Sequence, residues 1–257
     1  MIQLRLGLLG AGLLCFAPLS LAIGRSPLAD STDVLISNTP YERENAVSVS
    51  PLNPNSVLVA NNGGAGGVTA WTSVDGGVTW STNGSFAFGD PATAIIANPA
   101  YGQHGRFVVL ALGLALAKVE VNYKDQIAQN WSSRIVTELG PADKGHIWVD
   151  NSPHSGSLRF RTYAAWMRGT RQIVVATSLD GGDNWSEAEI PHTNPTPTSQ
   201  TSWGANVHTG RTGRVYVVWP RRTAGSTDQA ETKAFGFSEM LTVDPLAFQM
   251  EIGLPPV

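Results

Sequence analysis

Cysteine is almost missing from this sequence. Its 257 residues hold one, Cys15, inside an apolar N-terminal segment. A chain cut after that segment would carry no thiol, which excludes disulfides, thiolate metal sites and cysteine nucleophiles and leaves packing alone to hold the core. Charge is scarce as well: Asp, Glu, Lys and Arg make up 14% of the residues, against roughly 25% in an average globular domain. The 17 Lys and Arg against 20 Asp and Glu give a net charge of −3, so there is no basic footprint and nucleic acid is excluded as a partner. Long apolar runs are limited to Leu6 to Ile23, and that stretch is broken by Pro18 and barely reaches the ~20 residues of a membrane span. With Arg5 before it and Leu19-Ser20-Leu21-Ala22 ending in small residues at the −3 and −1 places, it reads as a signal peptide cut after Ala22. An uncleaved anchor is the alternative. Leu14 stands before Cys15, where a lipoprotein signal has a small residue. The expected location is secreted or periplasmic, with no membrane contact once the segment is removed.

What is abundant is turn-forming and large apolar material, 27 Gly, 16 Pro and eight Trp, the mixture many short strands joined by tight turns would use. Two segments are nearly identical: Thr72-Ser73-Val74-Asp75-Gly76-Gly77-Val78-Thr79-Trp80-Ser81 and Thr177-Ser178-Leu179-Asp180-Gly181-Gly182-Asp183-Asn184-Trp185-Ser186. Trp80 and Trp185 stand 105 positions apart, and a degenerate copy from Tyr123-Lys124-Asp125 to Trp131 divides that interval almost evenly. β-Branched and aromatic runs at Ser56 to Ala60, Arg106 to Leu112, Arg161 to Trp166 and Arg214 to Trp219 keep the same period, each preceded by another candidate strand and a Pro, Gly or Asn turn. A period near fifty residues with four strands per unit predicts an all-β β-propeller of four-stranded antiparallel blades. About four blades are visible, near 42–89, 90–142, 143–199 and 200–245, after a lead-in strand at 23–41 and before a tail at 246–257.

The repeated turn has a chemistry of its own. Serine and aspartate side chains accept backbone N–H groups within a hairpin, paired glycines take positive φ, and tryptophan buries a ring between sheets. Ser73, Asp75, Gly77 and Trp80, with Ser178, Asp180, Gly182 and Trp185, are therefore expected to be structural fasteners. No regular alternation of carboxylates suggests a calcium loop, no spacing of His146, His154, His192 and His208 suggests a metal site, and no cofactor is implied.

The pattern S-x-D-G-G-x-T-W resembles the Asp box of BNR-repeat propellers, and the blade openings at Glu44 to Val57, Gly89-Asp90-Pro91 and Asp143 to Asp150 resemble those of bacterial sialidase-like proteins, over roughly 40 to 240. Propellers of that family commonly have six blades, so the resemblance implies either degenerate last copies, a shortened chain or a compact four-bladed closure. It also implies glycoside hydrolysis, with arginines gripping a substrate carboxylate, a Tyr nucleophile assisted by Glu, and an Asp as acid/base. Asp90 resembles the position of that aspartate. The family's Arg-Ile-Pro tripeptide is missing, although Arg43 is close to its place, and no Tyr–Glu pair can be assigned; Tyr163 falls inside a strand run, as core residues do.

Loops before the innermost strands of a propeller share one channel mouth. Counting back from the turn that ends each first strand gives Glu42, Asp90, Asp143 and Gln200 as a ring of polar residues. The expected catalytic groups are Asp90, Asp143 and Glu44, and the expected substrate-binding groups are Arg43, Lys144, Gln200, Arg221 and Arg222. The expected partner is a glycan or glycoconjugate, with a protein partner possible along exposed blade edges. Polar strand-opening loops on a non-catalytic binding or scaffold propeller are the alternative.

Overall fold

The computed structural model describes residues 34–37, 43–63, 67–86, 89–113, 118–125, 130–138, 142–169, 172–189, 200–202, 204–223 and 230–237. The expected signal peptide, residues 23–33 of the lead-in, Glu42 and the tail lie outside the described residues, and residues 34–37 form no strand. Among the described residues no helix is long and apolar enough to cross a membrane.

Among the described residues, sixteen strands form four antiparallel sheets. Blade 1 holds β1 (Arg43–Val49), β2 (Val57–Asn62), β3 (Val68–Ser73) and β4 (Ser81–Phe86) in sequence order, and blade 2 repeats it with β5 (Gly89–Ile96), β6 (Arg106–Gly113), β7 (Lys118–Lys124) and β8 (Ser132–Thr137). Blade 3 holds β9 (Ala142–Val149), β10 (Thr162–Arg168), β11 (Gln172–Ser178) and β12 (Ser186–Glu189). The β-propeller architecture read from the sequence is the observed one.

Blade 4 departs from the pattern. Its inner strand is in two pieces, β13 (Gln200–Ser202) and β14 (Asn206–Thr209), both paired with β15 (Val215–Thr223), whose other edge pairs with β16 (Ala230–Phe237). Four strands therefore make a sheet only three strands wide. Phe235 of β16 pairs with Val217 of β15.

Three apolar layers hold successive blades together. Leu58, Ala60, Val68 and Ala70 of blade 1 meet Ile95, Phe107, Val109 and Ala111 of blade 2. Val108, Leu110, Val119 and Val121 of blade 2 meet Ile147, Ala164, Trp166 and Val174 of blade 3. Tyr163, Ala165, Ile173 and Val175 then meet Val207, Val215, Val217 and Trp219 of blade 4. Strand β6 is buried at every residue because odd and even positions pack into different layers, which explains its unbroken apolar run where a one-sided sheet would alternate. Glycine is required where blades close up: a Cβ on Gly145 would lie 2.7 Å from Leu110 and one on Gly84 would lie 2.9 Å from the Trp131 indole nitrogen. Tyr163 is buried in the core, as its strand run predicts.

Candidate functional site

The two full-length repeats form superimposable turns between the third and fourth strands of blades 1 and 3. In the first, the Ser73 hydroxyl donates to Asp75 Oδ1 (2.8 Å) and accepts from the Gly77 N–H (2.9 Å), while Asp75 accepts from the Thr79 N–H (2.9 Å) and Thr79 Oγ1 (2.5 Å). The Trp80 indole N–H closes the turn on the Gly77 carbonyl at 2.8 Å. Ser178, Asp180, Gly182, Asn184 and Trp185 repeat these bonds, with the Asn184 amide in the role of the Thr79 hydroxyl. All four turn glycines have positive φ. Donation from the Thr79 side chain and backbone, and from Ser73, holds the Asp75 carboxyl at about 2. Each of these aspartates spends both of its carboxylate oxygens on its own turn.

The degenerate copy in blade 2 is stapled differently. Asp125 binds the buried Arg106 guanidinium through both oxygens (2.5 and 3.2 Å), and Arg106 also donates to the Gly181 carbonyl at 2.8 Å. The guanidinium lies 4.1 Å from the Tyr101 ring centroid and 4.3 Å from that of Tyr123, whose hydroxyl donates to Asp183. Blade 2 thus clips the box turn of blade 3 with a cation held between two tyrosines. Sequence reading did not single out this latch, since its parts are scattered over nearly eighty positions.

The channel mouth is built by a recurrent irregularity in the inner strands. Ladder register shifts between Arg43 and Ala46, between Gly89 and Ala92, and beside Asp143. In each case one residue takes a left-handed backbone: Glu44 at φ 55°, Asp90 at φ 53° and Lys144 at φ 43°. Gly204, in the break between β13 and β14, takes φ 36°. Glu44, Lys144 and Gly204 each lie five residues before the last residue of their inner strand, at Val49, Val149 and Thr209, and Asp90 lies six before Ile96. The equivalent set is therefore Glu44, Asp90, Lys144 and Gly204, whereas counting from the turns gave Glu42, Asp90, Asp143 and Gln200. The turns differ in length from blade to blade, and only the ladders reveal the true phase.

Side chains from the bulges of blades 1 to 3 converge. The Lys144 ammonium contacts Glu44 Oε1 and stands 3.8 Å from Asp90 Oδ1. Asn62, at the end of β2, donates to Glu44 Oε2 at 2.6 Å and lies 3.4 Å from Asp90 Oδ1, while its own carbonyl oxygen accepts the Asp90 N–H at 2.8 Å. Burial alone would lower the Lys144 pKa; the bond from Glu44 and the charges of Asp90, Glu44 and Asp143 outweigh it and raise the pKa. Asp143 sits one residue before Lys144, opposite Met167, and acts on the cluster through its charge. Asn62 escaped sequence reading because its strand position carries no motif. Arg43 starts β1, Gln200 pairs with Thr223, and Arg221 and Arg222 pair with Ser202 and Thr201 on the same side of blade 4; their side chains lie outside the described residues.

A cavity of about 530 Å³ occupies the other end of the channel, lined by Val47, Val49, Trp148, Asn151, Thr209 and Arg211 among others, and does not include Glu44, Asp90 or Lys144. Beside it, burial and the neighbouring His208 hold His146 at about 4, while its Nδ1 accepts the Val207 N–H. Among the described residues no group of three or more His, Cys, Asp or Glu is placed to hold a metal ion.

No protein-family model matches the chain, and no curated protein matches it. Solved structures do. An α-L-arabinanase from Penicillium chrysogenum, complexed with arabinobiose, is 14% identical with a TM-score of 0.52, covering 79% of this chain and 63% of that one. The α-L-arabinofuranosidase Arb93A of Fusarium graminearum is 15% identical (TM-score 0.48, 80% of this chain, 64% of that one). The NanB sialidase of Streptococcus pneumoniae is 12% identical (TM-score 0.48, 70% of this chain, 28% of that one). The chain spans less than two thirds of each of these proteins. At such identity the likeness is one of fold, and the fold is the β-propeller seen in glycoside hydrolases.

Proposed function

We propose that this chain is an extracytoplasmic glycoside hydrolase of sialidase-like architecture, working at the channel mouth through Asp90 and Glu44. The observation that carries the reading is the set of left-handed bulges at Glu44, Asp90 and Lys144. Each such residue costs roughly 1–3 kcal/mol, a cost that accumulates at sites where side-chain direction matters. Here it aims two carboxylates and a cation from three blades at one point.

Glycoside cleavage needs one carboxyl group to protonate the leaving oxygen and a second to attack or stabilise the anomeric carbon. Asp90, the less exposed of the two with a side chain 14% accessible, is assigned the proton transfer. Glu44, in contact with Lys144 and Asn62, is assigned the second role. Asn62 Nδ2 bridges the two carboxylates at 2.6 Å from Glu44 Oε2 and 3.4 Å from Asp90 Oδ1, which sets them side by side as the two-carboxyl mechanism needs. The signal-like N-terminus and the family resemblance support an extracellular glycan as substrate. The second reading, a non-catalytic glycan-binding propeller, is favoured by one feature: Lys144 occupies the space between the carboxylates.

The test is turnover of sialosides and of neutral aryl glycosides by the purified full chain. The enzyme reading expects hydrolysis that falls at least ~100-fold in Asp90→Asn without change in circular dichroism, as for loss of a general acid. Glycan binding without turnover on any substrate supports the second reading.

A further inference from the structure

The charges at the mouth specify the sugar it takes. This inference rests on the reading of the mouth as a glycan site. We infer that the mouth receives the uncharged, hydroxyl-rich end of a neutral glycan, and that Glu44, Asp90 and Asn62 read its hydroxyl groups.

Three carboxylates, Glu44, Asp90 and Asp143, act on a single described ammonium, that of Lys144. The cation is already engaged by Glu44. Among the described residues, an acidic sugar entering here would bring its carboxylate toward three carboxylates and would compete with Glu44 for Lys144. A neutral sugar meets no such obstacle. Its hydroxyls donate as well as accept, and the cluster offers carboxylate oxygens and the Asn62 carbonyl as acceptors beside the Lys144 ammonium as donor. The donors and acceptors are also prearranged. Asn62 holds Glu44 and Asp90 through one amide nitrogen while its oxygen fixes the Asp90 backbone, and the left-handed bulges set the direction of both carboxylates before any ligand arrives. Heads that are 38% exposed at Glu44 and 41% at Lys144 leave room for hydroxyls to exchange with water. Preorganised acceptors of this kind discriminate strongly, because a ligand that cannot donate leaves them unpaired.

The experiment compares pairs of ligands differing in one carboxylate, by calorimetry on the full chain: methyl galactoside against methyl galacturonide, and lactose against 3′-sialyllactose. The neutral member of at least one pair is expected to bind at least ~10-fold more tightly, with an affinity that stays constant between 50 and 500 mM salt and drops at least ~10-fold in Asn62→Ala. Leu179→Ser, at an exposed position of the blade 3 box turn, serves as the folded control and retains neutral binding, and circular dichroism checks the fold of every variant, the double variant Arg221→Gln/Arg222→Gln included. Equal or tighter binding of the acidic members overturns this inference while leaving the glycan reading intact, and loss of that acidic binding in the arginine double variant would identify the grip responsible. Silence toward every ligand overturns both.

Discussion

The peripheral turns and the channel mouth both send the chain through left-handed backbone, yet they do it with opposite residue choices. At the periphery the work falls to Gly76, Gly77, Gly181 and Gly182, for which positive φ is free of the Cβ penalty. Their aspartates bond to their own turns. At the mouth the same backbone region is occupied by Glu44, Asp90 and Lys144, and glycine takes over only in blade 4, at Gly204. A glycine at any of the first three places would relieve strain and remove a charged group from the cluster. The periphery spends nothing on side chains that face outward to a ligand, whereas the mouth retains a costly conformation to keep them.

Glycine replacement at the periphery should produce the largest stability loss and should depend on what surrounds the turn. Gly76 and Gly181 have nearly equal φ, 73° and 77°, but a Cβ on Gly181 would stand 2.1 Å from the Tyr101 hydroxyl, against 3.4 Å from Asn55 for Gly76. Gly181→Ala is expected to lower stability by about 2–3 kcal/mol and Gly76→Ala by about 1 kcal/mol in urea unfolding. Equal losses would show that the Tyr101–Arg106 latch contributes nothing beyond the turn itself.

The mouth should behave in the reverse sense. Lys144→Gly removes a half-exposed ion pair of little net worth and frees a left-handed residue, so the variant is expected to be as stable as the parent or up to ~1 kcal/mol more so, while glycan affinity falls. A clear loss of thermal stability would mean that the cluster is a structural clip and the contrast with the periphery is false.

A smaller effect comes from acid. His146, held at about 4 and packed beside His208 and Val207, is neutral in the folded state and ordinary, near 6.5, when unfolded. Between these values the unfolded chain binds more protons, so stability rises from pH 4 to 6.5 and declines as pH falls through that window. His146→Gln is expected to flatten the pH dependence of the urea midpoint between pH 4 and 6.5. An unchanged slope would assign the acid sensitivity to the carboxylates.

The propeller was legible because blade packing is periodic: each layer needs the same strand faces, so apolar runs and box turns recur at nearly the same interval. The box fasteners were legible for a similar reason, since the bonds that their repeated Ser, Asp, Gly and Trp make with one another join residues within four positions. The mouth was only half legible. Glu44, Asp90 and Lys144 were all named from the sequence, but the turns from which the phase was counted vary in length, and a bulge moves a side chain without leaving a mark in the sequence. Asn62 and the Arg106 latch join distant segments through geometry alone.

Composition, repeat and local turn chemistry thus determined the class of fold and the number of visible blades, because those follow from short-range bonding and from the periodic burial of apolar faces. Which charges meet was decided by the tertiary structure. Glu44, Asp90 and Lys144 lie 46 and 54 positions apart in the chain, and only the stacking of three blades, each with its inner strand bent at the same place, brings them within reach of one ligand.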